Sequence, residues 1–159
     1  MGIYRISRNL EASIIEYLKD QLTESWSNVS VEKSFSRVYT LDLPIICVRC
    51  GTTDHDRVEI GGKSTVRTPS ILIDIFTTSD GQRLDLKDFL IEKLKGGIPY
   101  YDYTIMNGEI DSKTENGRIR ILDIDDVPID FDVDKEKLEV HDRFRHLLTL
   151  IISLGRVEE

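Results

Sequence analysis

Residues 71–97 constrain the fold most, because a strand pattern and a helix pattern stand back to back there. Ile71, Ile73 and Ile75 alternate with Leu72, Asp74 and Phe76, and that period of two puts one set on each face of a strand. Ser79 with Gln82 three residues later forms a capping-box pattern, and Asp80 and Asp85 suit the positive end of a helix dipole. Leu86, Phe89, Leu90 and Leu94 recur at helical spacing as a stripe to be buried. Lys93 and Lys95 fall in the last turn, and Gly96-Gly97 stops the helix.

The flanking segments extend this pattern. A first helix is predicted over about 7–25, with Leu10, Ile14, Ile15, Leu18 and Leu22 on one stripe and Ser7 or Asn9 as its cap. Val29 and Val31 alternate with polar neighbours, and Pro44 opens the run Ile45 to Cys50. A short strand at Arg57 to Ile60 meets a turn at Gly61-Gly62, and a second runs from Ser64 through Thr77. Pro69 cannot donate to a ladder, so it marks an edge, a bulge or a bend. Later come Ile98 to Met106, a turn at Asn107-Gly108, the alternation Arg118 to Leu122, and a buried strand at Phe144 to Leu154. Lys135 to Asp142 reads as a short helix or a loop. The order predicts an α+β fold, with a mostly antiparallel or mixed sheet flanked by two main helices at about 7–25 and 80–95. No repeat or linker divides the chain, so 1–159 reads as a single domain with a flexible tail at 156–159.

Composition narrows the function. A length of 159 residues suits one domain. Lys and Arg total 21 against 29 Asp and Glu, for a net charge of −8. Phosphate neutralisation needs clustered cations, so an acidic chain is a poor candidate for gripping nucleic acid, although it can surround DNA without sticking. No apolar run reaches the ~18–20 residues of a membrane span, so no membrane partner is expected. Met1 to Ser7 is too short and mixed for a signal peptide, and free thiols point to synthesis in a reducing cytosol.

No residue set assembles a recognisable reaction centre. Cys47 and Cys50 have redox spacing but lie in a strand pattern, where residues three apart face opposite ways. His55 falls in the polar stretch Thr52 to Asp56, read as a loop. His141 and His146 are spaced for neither a helical nor a strand metal pair. The Asp-rich run 123–134 places Pro128 and Asp134 where a calcium loop wants Gly and Glu. Its alternation instead predicts a half-exposed strand with an acidic outer face carrying Asp123, Asp125, Asp126 and Asp130. Gly62-Lys63-Ser64 lacks the upstream glycine and following helix of a phosphate loop. No catalytic residue, metal site or cofactor is expected.

A resemblance enters at the centre of the chain. Leu43-Pro44-Ile45-Ile46 leads to Val58-Glu59-Ile60-Gly61-Gly62, then to Arg67-Thr68-Pro69-Ser70-Ile71-Leu72-Ile73-Asp74-Ile75-Phe76. Ser79-Asp80-Gly81-Gln82-Arg83-Leu84-Asp85-Leu86 and the Tyr-rich Ile98-Pro99-Tyr100-Tyr101-Asp102-Tyr103 follow. This succession resembles neck proteins of tailed bacteriophages, in particular the tail-terminator (tail-completion) type, over residues 5–105 and more loosely over Phe144 to Leu154. The resemblance implies a virion protein assembled in the host cytoplasm. It implies a homo-oligomeric ring, commonly a hexamer, that caps the major tail tube protein, joins it to the head-completion proteins and lets genomic DNA pass unbound. On it, Asp54, His55, Arg57, Glu59, Gly61, Gly62 and Arg67 would meet a neighbouring subunit or the tube, with Glu59 and Arg67 able to pair. Asp123, Asp125, Asp126 and Asp130 would face DNA. A head-closure or stopper role is the alternative within the neck. A non-viral metal-binding domain using His141, His146 and the Asp-rich strand is the alternative outside it.

Overall fold

The computed structural model describes residues 5–33 and 35–158, so Met1 to Tyr4, Ser34 and Glu159, parts of the predicted termini among them, lie outside the described residues. The elements run α1 (Ile6–Ser25), β1 (Ser30–Glu32), α2 (Phe35–Val38), β2 (Ile45–Arg57), β3 (Thr65–Thr77), α3 (Asp80–Leu94), β4 (Ile98–Met106), β5 (Glu109–Ile129), β6 (Phe144–Ser153) and β7 (Val157–Glu158). The stretch read as helix or loop holds two 3-10 turns, Lys135–Lys137 and Val140–Asp142. The strands form one sheet in the order β1-β2-β3-β6-β5-β4, with β7 beside β3. The β1·β2 pair is parallel and the other pairs are antiparallel. The fold is therefore α+β with a mixed sheet, and the two main helices lie close to their predicted limits.

The alternation of β3 decides how the layers stack. Ile71, Ile73 and Ile75 join Ile46 and Val48 of β2 and Leu148, Leu150 and Ile152 of β6 beneath α1 and α3. From the helices, Leu10, Ile14, Leu18, Leu86, Leu90 and Leu94 complete this core. The opposite face of β3 supplies Phe76 to a smaller cluster with Val38, Ile45 and Cys47 under α2. The cap of α3 forms as predicted: Ser79 Oγ accepts the Gln82 N–H at 3.2 Å, and Gln82 Oε1 accepts the Thr78 N–H at 2.9 Å. Phe89 is only half-buried, against Trp26 at 6.4 Å with Lys93 Nζ 5.5 Å from its ring centre.

Several local expectations need correction. Arg5 is the N-cap of α1 and makes no side-chain cap bond, while Ser7 and Asn9 lie inside the helix. The Thr52 to Asp56 stretch is strand, because β2 continues to Arg57 through a register shift between Cys50 and Thr53. Pro69 pairs opposite Thr53 beside that irregularity, the bulge that a missing donor suggests. The segment 156–158, predicted to fray, carries β7, which pairs Val157 with Val66 and Glu158 with Thr65. β5 changes partner along its length, pairing with β4 up to Ile119 and with β6 from Arg120. Gly117, at φ +99, supplies the backbone bend just before that change.

Candidate assembly interface

The seven residues assigned to subunit or tube contact lie on the β2–β3 hairpin, and the structure separates them into a tip and a base. At the tip, Arg57 Nη1 donates to the Gly62 carbonyl at 2.6 Å and the Val58 N–H donates to Ser64 at 3.0 Å, which closes the turn. Gly61 adopts φ +82, the left-handed region that glycine tolerates. A Cβ on Gly62 would stand 2.6 Å from the Glu59 side chain, so the bare backbone makes room for that carboxylate. Asp54 and His55 pair with Thr68 and Arg67 along the ladder. Arg67 belongs to the base: its Nε meets Glu158 at 3.1 Å and its Nη1 donates to Ser7 Oγ at 3.2 Å. Within the chain Arg67 thus pairs with Glu158 and not with Glu59, an anchor that ties the hairpin to β7 and α1. Beyond that anchor Val58 is exposed and Ile60 fully so.

A second hairpin, β4–β5, projects over α1. Asn107 and Gly108 at φ 53 and 82 form its tight turn, with Met106 and Ile110 exposed beside it. Its base is fastened to α1 by polar side chains. Ser13 Oγ accepts the Tyr101 N–H at 3.0 Å, and Glu16 accepts the Tyr103 hydroxyl at 2.6 Å and the Lys113 ammonium. Burial pushes the Glu16 carboxyl up, but the hydrogen bonds from Lys113 and Tyr103 outweigh it and hold the group below the usual range. Asn9 sits buried between the same elements, bonded to Tyr100 Oη and the Tyr103 N–H.

The four aspartates of the predicted acidic face do not form one wall. Asp123 and Asp125 pair opposite Ile151 and Thr149 and are exposed on the face away from α1 and α3. Asp126 points the other way, since consecutive residues alternate. It accepts from His146 Nε2 at 2.8 Å and meets Lys87 at 3.4 Å. Asp130 lies beyond the strand end and accepts the Asp132 N–H at 2.9 Å.

The buried ionisable groups act as fasteners. His146 is buried, with Arg83 Nη1 2.7 Å from its Nδ1. A guanidinium only donates, so Nδ1 is the acceptor and Nε2 carries the proton given to Asp126. With both nitrogens engaged, the ring clasps α3 to β5 and β6 and has no lone pair left for a substrate proton. Burial lowers the His146 pKa, while the hydrogen bond from His146 is the main cause lowering that of Asp126. On the opposite face Asp74 is buried between Arg49 and Arg145, each at 3.3 Å. Arg145 also meets Asp142 at 3.3 Å and stacks 4.5 Å from the Phe76 ring centre, while its Nε is buried without a partner among the described residues. This network was missed by sequence reasoning, although a carboxylate between Ile73 and Ile75 was its visible signal.

The remaining motif residues are equally occupied. Cys47 and Cys50 lie in different clusters, and burial pushes both thiols up to about 11, so they stay protonated at neutral pH. His141 Nε2–H donates to the Leu41 carbonyl at 2.7 Å and its ring packs 5.5 Å from Tyr39. No group of three His, Cys, Asp or Glu among the described residues is arranged to hold a metal ion. The two hairpins are thus anchored at their bases and carry exposed apolar residues at their tips. No protein-family model matches the chain, and no curated protein matches its sequence.

Proposed function

We propose that the chain is a structural subunit of a tailed-bacteriophage neck, a tail terminator that assembles as a ring, caps the tail tube and joins it to the head-completion proteins. The observation that carries this reading is the β2–β3 hairpin, whose base is held by Arg67, Glu158 and Ser7 while Ile60 stands fully exposed at its tip. An apolar side chain held in water on an anchored arm gains free energy when a partner covers it. The resemblance in residue succession implies a neck role for such arms, and the net charge of −8 suits a lumen through which DNA passes without binding.

The test is to mix the purified chain with isolated tail tubes and with portal-side head proteins. Capping of tube ends, seen by negative-stain microscopy as rings of about 110 kDa for six copies of an 18.3 kDa chain, is the expected result. Binding to portal-side protein alone would reassign the chain to head closure. Binding to neither, with no ring in any mixture, would refute the reading.

A further inference from the structure

The cations of this acidic chain are unevenly placed, and three arginines without a carboxylate partner among the described residues gather at one end of the sheet. Arg118 Nη2 donates to the Gly96 carbonyl at 3.2 Å, just past the C-terminus of α3. Arg156 Nη2 donates to the Asn116 carbonyl at 2.6 Å and passes beside Gly117, 3.4 Å from where a Cβ would stand. The Arg120 guanidinium lies over Gly155, its carbon 3.6 Å from the equivalent point. Arg118, Arg120 and Lys95 line a cleft of about 530 Å³ together with the apolar Ile119, Ile121 and Leu154. Lys95, the C-cap of α3, meets Glu92 at 3.2 Å in water. Ile119 itself is buried in the core, so the half-buried Ile121 and Leu154 supply the apolar part of the cleft and the three cations its polar part.

The opposite end of the β5–β6 ladder carries the complement. Arg120 and Ile129 are nine positions apart along β5, so the two ends are roughly 30 Å apart. After Ile129 the chain turns at Asp132, which adopts φ 57 while its N–H bonds Asp130. Phe131 is 44% and Val133 50% exposed, and the exposed Asp130, Asp132 and Asp134 alternate with them. The nearby cations are turned inward or paired: Lys135 Nζ and Arg143 Nε donate to backbone carbonyls, and Lys137 meets Asp134 at 3.8 Å. One end thus offers an apolar knob edged with carboxylates, and the other a cleft in which the apolar surface of Ile121 and Leu154 lies beside guanidinium groups.

We propose that these are the two halves of one contact, in which the loop 130–134 of one copy seats Phe131 in the cleft of the next, with its aspartates against Arg118 and Arg120. A contact between different surfaces at opposite ends of a protomer is heterologous, and repeating it closes into a ring or runs on as a filament. The proposal rests on the ring reading above and names the surfaces that would build the ring. An aromatic anchor inside a charged margin is also how binding energy concentrates at protein interfaces.

Sedimentation velocity of the full chain tests it. The wild type should self-associate as concentration rises at low salt, and dissociate in about 0.5 M NaCl, where screening shortens to a few ångströms. Arg120→Glu and Asp134→Lys should each weaken association by at least about tenfold, with melting curves like the wild type. An equimolar mixture of the two variants, or both changes in one chain, should restore it. Phe131→Ser should weaken it at every salt concentration. A wild type that stays monomeric at about 100 μM in low salt, well above the micromolar range of ordinary specific contacts, would overturn the proposal. Association indifferent to both reversals would also overturn it. So would Arg120-dependent retention of a labelled DNA duplex by a chain that does not self-associate, which would make the cleft a phosphodiester site. Rings on tail tubes that survive both reversals would remove this contact and leave the neck reading standing. Reversal and rescue without any binding to tail tubes would do the opposite.

Discussion

β3 passes through two environments, and the contrast between them separates what holds the molecule together from what it offers to others. From Ile71 to Thr77 every side chain except Leu72 is buried, between α1 and α3 on one face and the α2 cluster on the other. From Thr65 to Thr68 the same strand is half-buried, and the turn before it is open to water. The backbone ladder to β2 continues through both halves. Hydrogen bonding therefore does not distinguish them; covering does. Stability follows apolar burial, so it concentrates in the body and leaves the hairpin tip free to change without unfolding the fold.

The largest expected effect tests the body at its charged point. Asp74→Ala removes the carboxylate between Arg49 and Arg145, and Arg145 is only 12% exposed at its side chain. Breaking a buried pair by deleting one partner should cost about 3–5 kcal/mol in urea unfolding. Loss below about 1 kcal/mol, the scale of an exposed pair, would mean that Arg145 reaches water instead. Next comes the apolar core. Leu90→Ala, at a fully buried site on α3, should cost about 3 kcal/mol through the cavity it leaves. Phe89→Ala one position earlier should cost only about 1–2 kcal/mol, because that ring is half-exposed beside Trp26. Equal losses at 89 and 90 would erase the boundary drawn between the helix's inner and flanking faces.

A third effect depends on pH. Burial holds the His146 pKa below its ordinary 6.5, so the unfolded chain takes up the proton first. The clasp's contribution is complete at neutral pH and falls away as pH drops below about 6.5, where protonating Nδ1 would set a proton against Arg83. Asp126, lowered from 3.8, adds a loss at still lower pH, as its carboxylate is neutralised. The urea midpoint should decline between pH 7 and pH 5, and His146→Gln should flatten that decline. An unchanged slope in the variant would show that other groups carry the acid sensitivity.

The parts of the molecule that could be read from sequence are those whose causes are local. The start of α3 is written in Thr78, Ser79 and Gln82, all within one turn, and the structure makes those bonds. β3 and β6 announce themselves by strict alternation of large apolar residues. The end of β2 was illegible because Asp54, His55 and Asp56 have poor strand propensity, and only the ladder to β3 keeps them extended. The assignment of Asp125 and Asp126 to one face could have been refused from sequence, since neighbours in a strand cannot share a side. The basic cleft could not have been found, because it draws on Lys95, Arg118, Arg120 and Leu154, segments that only the sheet order brings together. The Asp74 network likewise joins Arg49 and Arg145, and neither neighbour is visible from position 74.

The smallest expected effect on stability is the most informative about function. Ile60→Ser lies at the fully exposed tip of the β2–β3 hairpin, beyond the Arg57 to Gly62 bond that closes the turn. No native contact is lost there, so unfolding free energy should stay within about 0.5 kcal/mol of the wild type. If the chain is the tail terminator proposed above, its association with tail tubes, measured by co-sedimentation, should nevertheless fall, because a serine has almost no apolar surface to bury against a partner. A variant that melts normally and caps tubes normally would show that the tip is an ordinary exposed turn, and the contrast between body and arm would then say nothing about partners. A variant that loses stability instead would place Ile60 in the body, against its full exposure. Only the combination of intact folding and impaired capping separates an arm built for contact from a hairpin that merely ends there.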